Sequence, residues 1–277
     1  MRVAICTYWY PPARTIASLR MVKFGKFLPE FGWEPIVFTI APVTNRYTSA
    51  GALDDELPPA QVHRVPDPSV HVWVDRLGAR LRGTASAARP AAEGRERSGS
   101  LASMAYRVYR DAVCVPDETW PWLAHFGAIR RIAADAGIDL VFSSSPPATA
   151  HLLAQRLAAA LGKPWVADLR DPWAEMHTLP RTELRRRFDV WLERRTLRRA
   201  SAITTVSGTM ARRFAEQYRA PVHVIMNGYD PADVPADAAV EPDSERLSLV
   251  YTGMLYEGRR TPLMVFRALR ALAARGR

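Results

Sequence analysis

The turn that follows the first strand-like run contains no glycine. Residues 7–20 read TYWYPPARTIASLR, and the first glycine of the chain is Gly25. The Gly-x-Gly-x-x-Gly fingerprint of dinucleotide binding is therefore missing from the place where an α/β protein carries it. Gly-x-x-x-x-Gly-Lys and Gly-x-Ser-x-Gly are also missing, which argues against a P-loop nucleotidase and a serine hydrolase of the nucleophile-elbow type. The two cysteines, Cys6 and Cys114, are expected to be reduced core thiols. No Cys/His cluster has zinc spacing, so no metal is expected. No apolar run approaches the roughly 18–20 residues that span a bilayer. The N-terminus lacks a basic segment leading into a long apolar run, so no signal peptide is expected, and a cytoplasmic location is.

What is present is arginine and an α/β rhythm. The formal net charge is +10. That balance admits nucleic acid, anionic lipid or phosphorylated small molecules as partners. The arginines scatter over several elements, which disfavours nucleic acid. Strand-like runs at 2–7, 35–40, 62–65, 138–143, 165–169, 201–206 and 222–226 alternate with helical patterns at 16–31, 121–136, 148–161, 181–199 and from 208 onward. Such alternation predicts a Rossmann-like, doubly wound, mostly parallel sheet. Its domain is expected over 1–230, with a flexible insertion at 78–100 that is poor in large apolar residues. A Pro/Ala/Asp linker follows at 231–246. A last strand–turn–helix over 247–277 begins a second Rossmann-like unit and has too few elements to form a core by itself.

Ligands of open α/β sheets bind beyond the carboxyl ends of the strands. The residues there are Tyr8, Trp9, Tyr10, Pro11, Pro12, Arg14 and Arg20; Ser143, Ser144, Ser145, Pro146 and Pro147, with His151 one turn on; Arg170, Asp171, Pro172, Trp173 and His177; Ser207 and Gly208; Asn227, Gly228 and Asp230. Hydroxyls, aromatic faces, carboxylates and guanidinium forks suit sugars and phosphates. Blander readings stand beside these: His151 as a packed histidine, Asp168 as a loop brace, Arg170–Asp171 as a local ion pair, and Asn227-Gly228 as a turn. The helix over 181–199 carries Glu183, Asp189 and Glu193 among its arginines, with Leu184, Phe188, Trp191 and Leu192 along one side. It is read as a helix with a solvated charged face, and contact with an anionic membrane surface is the sharper alternative.

YPPARTIASLRMVKFGKFLPEFGWEPIVFT (10–39), SSSPPATAHLLAQRLAAALGKPWVADLRDPW (143–173), ITTVSGTM (203–210), VIMNGYDPADV (224–234) and LVYTGMLYEGRRTPL (249–263) occur in this order. In these segments the chain resembles the N-terminal half of bacterial family-4-like glycosyltransferases of the GT-B fold. The resemblance implies an acceptor-binding domain and the start of a donor-binding domain, facing across a cleft. It implies metal-independent, hexosyltransferase-like transfer of a sugar from a UDP- or GDP-linked donor to an acceptor hydroxyl, in cell-surface polysaccharide or glycolipid synthesis. The acceptor would be a saccharide or a lipid-linked saccharide, and the enzyme would work at the inner face of the cytoplasmic membrane. The nucleotide sugar is a co-substrate, and no cofactor is implied. Carried over by position, Asp171, Arg170 and His151 are the catalytic candidates. Arg14, Arg20, Gly253, Arg259 and Arg260 are candidates for the donor diphosphate. Tyr10, Ser144, Ser145, Trp173, Ser207 and Asn227 are candidates for the acceptor. The family's paired-glutamate donor motif is expected beyond residue 277, so the chain is expected to be truncated. The alternative is a non-catalytic module that binds a saccharide or a lipid-linked acceptor.

Overall fold

The structure, a computed structural model, describes residues 1–13, 15–41, 57–58, 61–67, 111–175, 181–234, 248–253, 255 and 261–275. Contacts divide the chain into Met1–Tyr229 and Asp230–Arg277.

The first unit is built on a seven-stranded sheet: β1 (Arg2–Cys6), β2 (Glu34–Ile40), β3 (Val62–Val65), β4 (Leu140–Ser145), β5 (Trp165–Leu169), β6 (Ala202–Thr205) and β7 (Val222–Val224). The spatial order is β3-β2-β1-β4-β5-β6-β7, and every pairing is parallel. β1 is central, with Ala4 opposite Ile36 on one side and Val141 on the other. Its residues after Arg2 are all buried, as expected of a parallel strand covered on both faces. Strand alternation sends Ala4 and Cys6 into one core with Phe38, Trp122, Leu153, Leu157 and Trp165. It sends Val3 and Ile5 into a second core with Tyr10, Met21, Val22 and Val37. Cys6 and Cys114 are free thiols in the interior, and burial pushes the Cys6 thiol up to about 12.

The helices of this unit are α1 (Ile16–Phe27), α2 (Phe126–Asp135), α3 (Thr149–Leu161), α4 (Glu183–Leu197) and α5 (Gly208–Gln217). Thr15, Thr182 and Ser207 cap α1, α4 and α5, each side-chain oxygen accepting a backbone N–H three residues on. Gly162 ends α3 at φ 63, a left-handed conformation that a side chain would oppose. The helix expected over 16–31 is α-helical only to Phe27 and continues as a 3₁₀ turn, Leu28–Phe31, because Pro29 cannot donate to the helical ladder. Likewise Trp120–His125, with Pro121 at its start, is a 3₁₀ segment ahead of α2. β4 runs two residues further than its apolar pattern predicts. Its terminal serines pair with β5, Ser144 opposite Asp168 and Ser145 opposite Leu169.

In the second unit, Pro231–Asp233 form a 3₁₀ turn capped by Asp230, and α6 spans Leu263–Ala273. None of the residues of α6 is buried. The strand expected at 247–252 does not form over its described residues, 248–252, since a strand exists only where a ladder partner is supplied. The insertion expected at 78–100 lies outside the described residues. No helix among the described residues is long and apolar enough to cross a membrane.

Candidate functional site

In a sheet of this order the topological switch point lies between β1 and β4, where connections leave in opposite directions and a crevice opens at the carboxyl edge. The glycine-free turn 7–13 stands at that crevice. A cavity of about 470 Å³ is found here, bounded by Trp9 after β1, Ser145–Ala148 after β4, and Asp171–Trp173 after β5. Residues 111–119 close one side, and Arg181 and Arg185 contribute from the start of α4. Two indoles and a run of prolines form its apolar surface. Asp117, Glu118 and Asp171 supply carboxylates.

Beneath the cavity the strand ends are locked by one polar network. Asp168 is fully buried and accepts four hydrogen bonds. Ser144 Oγ donates to Oδ2 at 2.8 Å, and Thr204 Oγ1 to Oδ1 at 2.7 Å. Arg20 clamps both oxygens, Nε to Oδ2 at 3.1 Å and Nη2 to Oδ1 at 2.9 Å. The remaining guanidinium hydrogens of Arg20 go to Ile225 O, Met226 O and Asn227 Oδ1, at 2.9, 3.3 and 3.1 Å. Arg170 donates to Ser144 Oγ at 3.1 Å and to Pro146 O at 2.8 Å, fixing the turn that leaves β4. Burial holds the Arg170 guanidinium below its ordinary range, opposed by the nearby Asp168 and Asp171 carboxylates.

His151 sits in the interior of the same domain. The Trp165 indole donates to Ser143 Oγ at 2.8 Å, and Ser143 Oγ lies 2.8 Å from His151 Nδ1. Desolvation pulls the imidazole from its ordinary 6.5 down to about 3, Asp168 opposing and Arg170 assisting. His151 is therefore neutral in the folded protein and charged in the unfolded chain at mildly acid pH. Its contribution is complete above the unfolded value of 6.5 and is lost as pH falls toward 3. Between about pH 7 and pH 5 the protein is expected to lose about 2 kcal/mol more stability than a His151→Gln variant does. Parallel urea titrations at the two pH values check this; equal losses would contradict it.

Two walls of the cavity are held by α4, whose inward row is charged. Arg185 donates to Asp189 Oδ1 at 2.9 Å and to the carbonyls of Asp111, Cys114 and Pro116 at 3.0, 2.9 and 2.8 Å. Arg181 also pairs with Asp189. One turn on, Glu193 accepts from Ala174 N at 2.7 Å and from Tyr218 Oη at 2.8 Å. Burial raises the Glu193 carboxyl above its ordinary range, while burial and the Glu193 charge raise the Tyr218 phenol. At the remaining wall, Asp117 accepts from the backbone and hydroxyl of both Thr119 and Thr149, tying residues 117–119 to the first turn of α3.

Of the residues expected at the site, Ser145, Asp171 and Trp173 line the cavity. The Trp173 indole N–H is buried and has no hydrogen-bond partner among the described residues, as is also true of the Trp122 indole N–H and His151 Nε2. The others lie elsewhere. Tyr10 is buried in the second core, with Arg64 5.8 Å from its ring centroid. Ser144, His151 and Arg20 are interior groups engaged as described. Ser207 caps α5, and the Asn227 side chain is held by Arg20. Gly253 is an exposed residue of the second unit. Arg14, Arg259 and Arg260 lie outside the described residues. Asp117, Arg181 and Arg185 were not among the residues expected at the strand ends; Trp9 was, but with no binding or catalytic role given to it. Trp9 stood in the same glycine-free turn as Tyr10, and alternation decides which of the two faces the crevice. Arg181 and Arg185 belonged to a helix whose charges were read as solvated.

Residues 69–233, more than half of the chain, match the family model described as Glycosyltransferase Family 4. The chain belongs to glycosyltransferase family 4. No curated protein matches the chain. The parallel α/β sheet of this family-4 transferase agrees with the Rossmann-like GT-B domain expected from its motifs.

Proposed function

We infer that the protein transfers a sugar from a nucleotide-sugar donor to a hydroxyl of an acceptor saccharide, and that the cavity at the β1/β4/β5 edge holds the acceptor. The observation that carries this reading is the cavity itself: Trp9, Trp173, whose indole N–H has no partner among the described residues, and the Asp171 carboxylate line one space. Aromatic faces stack on the C–H face of a pyranose while few polar groups fix its orientation. Trp173 Nε1 donates to a ring or hydroxyl oxygen. Asp171 accepts the hydrogen of the attacking hydroxyl and takes its proton as the new glycosidic bond forms and the bond from anomeric carbon to phosphate oxygen breaks. Arg170 keeps the Pro146 turn in place for that contact. Gly253, Arg259 and Arg260 of the second unit are the proposed donor-diphosphate contacts, where guanidinium charge offsets charge on the leaving group. The donor is UDP- or GDP-linked, and the product is a cell-surface polysaccharide or glycolipid.

The second reading is a saccharide-binding module without transfer, which the same aromatic-lined cavity would serve.

The test is calorimetric titration with UDP- and GDP-sugars and with saccharides, together with a transfer assay on the full reading frame that encodes this chain. Asp171→Asn is expected to lower turnover about 100-fold with acceptor binding retained. Trp9→Ala is expected to weaken acceptor binding about tenfold. Saccharide binding without transfer would favour the module. No binding of nucleotide sugar or saccharide would reject both readings.

A further inference from the structure

The residues on the outer face of α4 do not line the cavity at the sheet edge. Because Arg185, Asp189, Glu193 and Thr196 face inward, the opposite side of the helix carries the large apolar residues. Leu184, Phe188 and Trp191 are 80%, 42% and 52% exposed. Their i, i+4, i+7 spacing places them on one stripe. The Phe188 and Trp191 rings lie 5.4 Å apart, and the Arg195 guanidinium lies 5.6 Å from the Trp191 ring centroid. Beside the stripe runs a shallow groove of about 300 Å³ formed by Arg187, Val190, Trp191, Arg194, Arg195 and Arg198. Glu183 is the acidic residue at the head of this face, and Arg186 and Arg187 already pair with it.

A helix face meant only for water would not carry tryptophan, phenylalanine and leucine in register among arginines. We propose that the outward face of α4 docks the protein on an anionic lipid bilayer, with Leu184, Phe188 and Trp191 entering the headgroup–acyl boundary while Arg187, Arg194, Arg195 and Arg198 meet lipid phosphates. Amphipathic indoles settle at this depth, and exposed guanidinium groups beside them are attracted to anionic headgroups. A fluid layer of phosphates satisfies arginines at any position around the stripe, whereas a protein partner would need carboxylates in matching places. The groove is shallow and runs beside a ridge of side chains, which suits insertion into a soft surface. The docking rests on exposure and charge, and stands whether or not the chain transfers sugar.

The experiment is co-sedimentation of the 277-residue chain with vesicles of phosphatidylcholine alone and of phosphatidylcholine mixed with phosphatidylglycerol. The wild-type chain is expected to sediment with the mixed vesicles and to be released by salt. Phe188→Ser with Trp191→Ser, and separately Arg194→Glu with Arg198→Glu, are each expected to weaken partitioning about tenfold or more. Arg130→Glu with Arg131→Glu makes the same change in net charge on exposed positions of α2 and is expected to leave partitioning within about twofold. All four positions on α4 are exposed, and circular dichroism melts confirm that the variants fold. Equal binding to both vesicle types would overturn the proposal, as would an equal loss in the α2 control. So would a wild-type dimer in size exclusion that the Phe188/Trp191 variant converts to monomer, since the face would then serve a second copy.

Discussion

Replacing Arg20 with methionine is expected to destabilise the protein by about 3–5 kcal/mol, more than any exposed substitution can. Asp168 is fully buried on the central part of the sheet, and Arg20 is its cationic partner, itself almost entirely buried. Methionine fills most of the volume but removes the guanidinium that clamps both carboxylate oxygens, leaving Arg170 as a nearby charge that does not contact Asp168 directly. Ser144 and Thr204 still donate to it, which moderates the loss without neutralising the charge. The same substitution strips donors from Ile225 O, Met226 O and Asn227 Oδ1. The segment leaving β7 is expected to loosen first, because β7 is short and its residues after Val222 are exposed. Urea unfolding gives the stability change, and hydrogen exchange over 222–227 locates it. Removing both charges, as Arg20→Met with Asp168→Leu, is expected to recover part of the loss, since the penalty of the single variant is an unpaired buried charge. A loss below about 1 kcal/mol for Arg20→Met, or a double variant worse than the single, would show that the pair does not carry this load.

Arg20 also shows where the sequence could be read and where it could not. Every strand of the parallel sheet was visible, the inner ones because strands buried on both faces are continuous apolar runs, and the short edge strands β3 and β7 from their β-branched residues and place in the alternation. Ser145, Asp171 and Trp173 were found because the carboxyl edge of such a sheet is where ligands sit. That rule gives an edge and not a direction. Tyr10 was expected at the acceptor, but the neighbouring Trp9 reaches the cavity and Tyr10 joins the core. Arg20 was expected to meet a diphosphate; its partner Asp168 is 148 residues away, a pairing that no local pattern reveals. His151 read more readily as a packed histidine than as a catalytic one, and the neutral, buried imidazole depends on Ser143 and Trp165, two different strands. α4 misled for the opposite reason. Its amphipathic pattern is plain, but patterning assumes that apolar residues face inward. Here buried charges are paired with one another and with loop carbonyls, and that satisfaction reverses the helix.

The second large effect concerns the residue on which that reversal depends. Arg185→Met is expected to cost about 3–5 kcal/mol and to open the cavity. The guanidinium satisfies Asp189 and three carbonyls that have left regular secondary structure or stand at its end, those of Asp111, Cys114 and Pro116. Residues 111–116 have no place in the sheet; this fork, with the Thr182 N–H that donates to Asp111 Oδ2 at 3.1 Å, ties them to α4. Arg181 still pairs with Asp189 in the variant, which keeps the buried carboxylate from being wholly unpaired and places the effect toward the lower end of the range. Arg185→Lys is the informative companion. An ammonium can neutralise Asp189 but cannot present planar, diverging donors to it and the three carbonyls. It is expected to restore roughly half of the lost stability and little of the cavity. Hydrogen exchange over 111–119 and saccharide titration separate the two effects. Full recovery by lysine would reduce Arg185 to a charge partner. A methionine variant with unchanged exchange over 111–119 would mean that this wall is held by other contacts, and that the inward charges of α4 do not build the site.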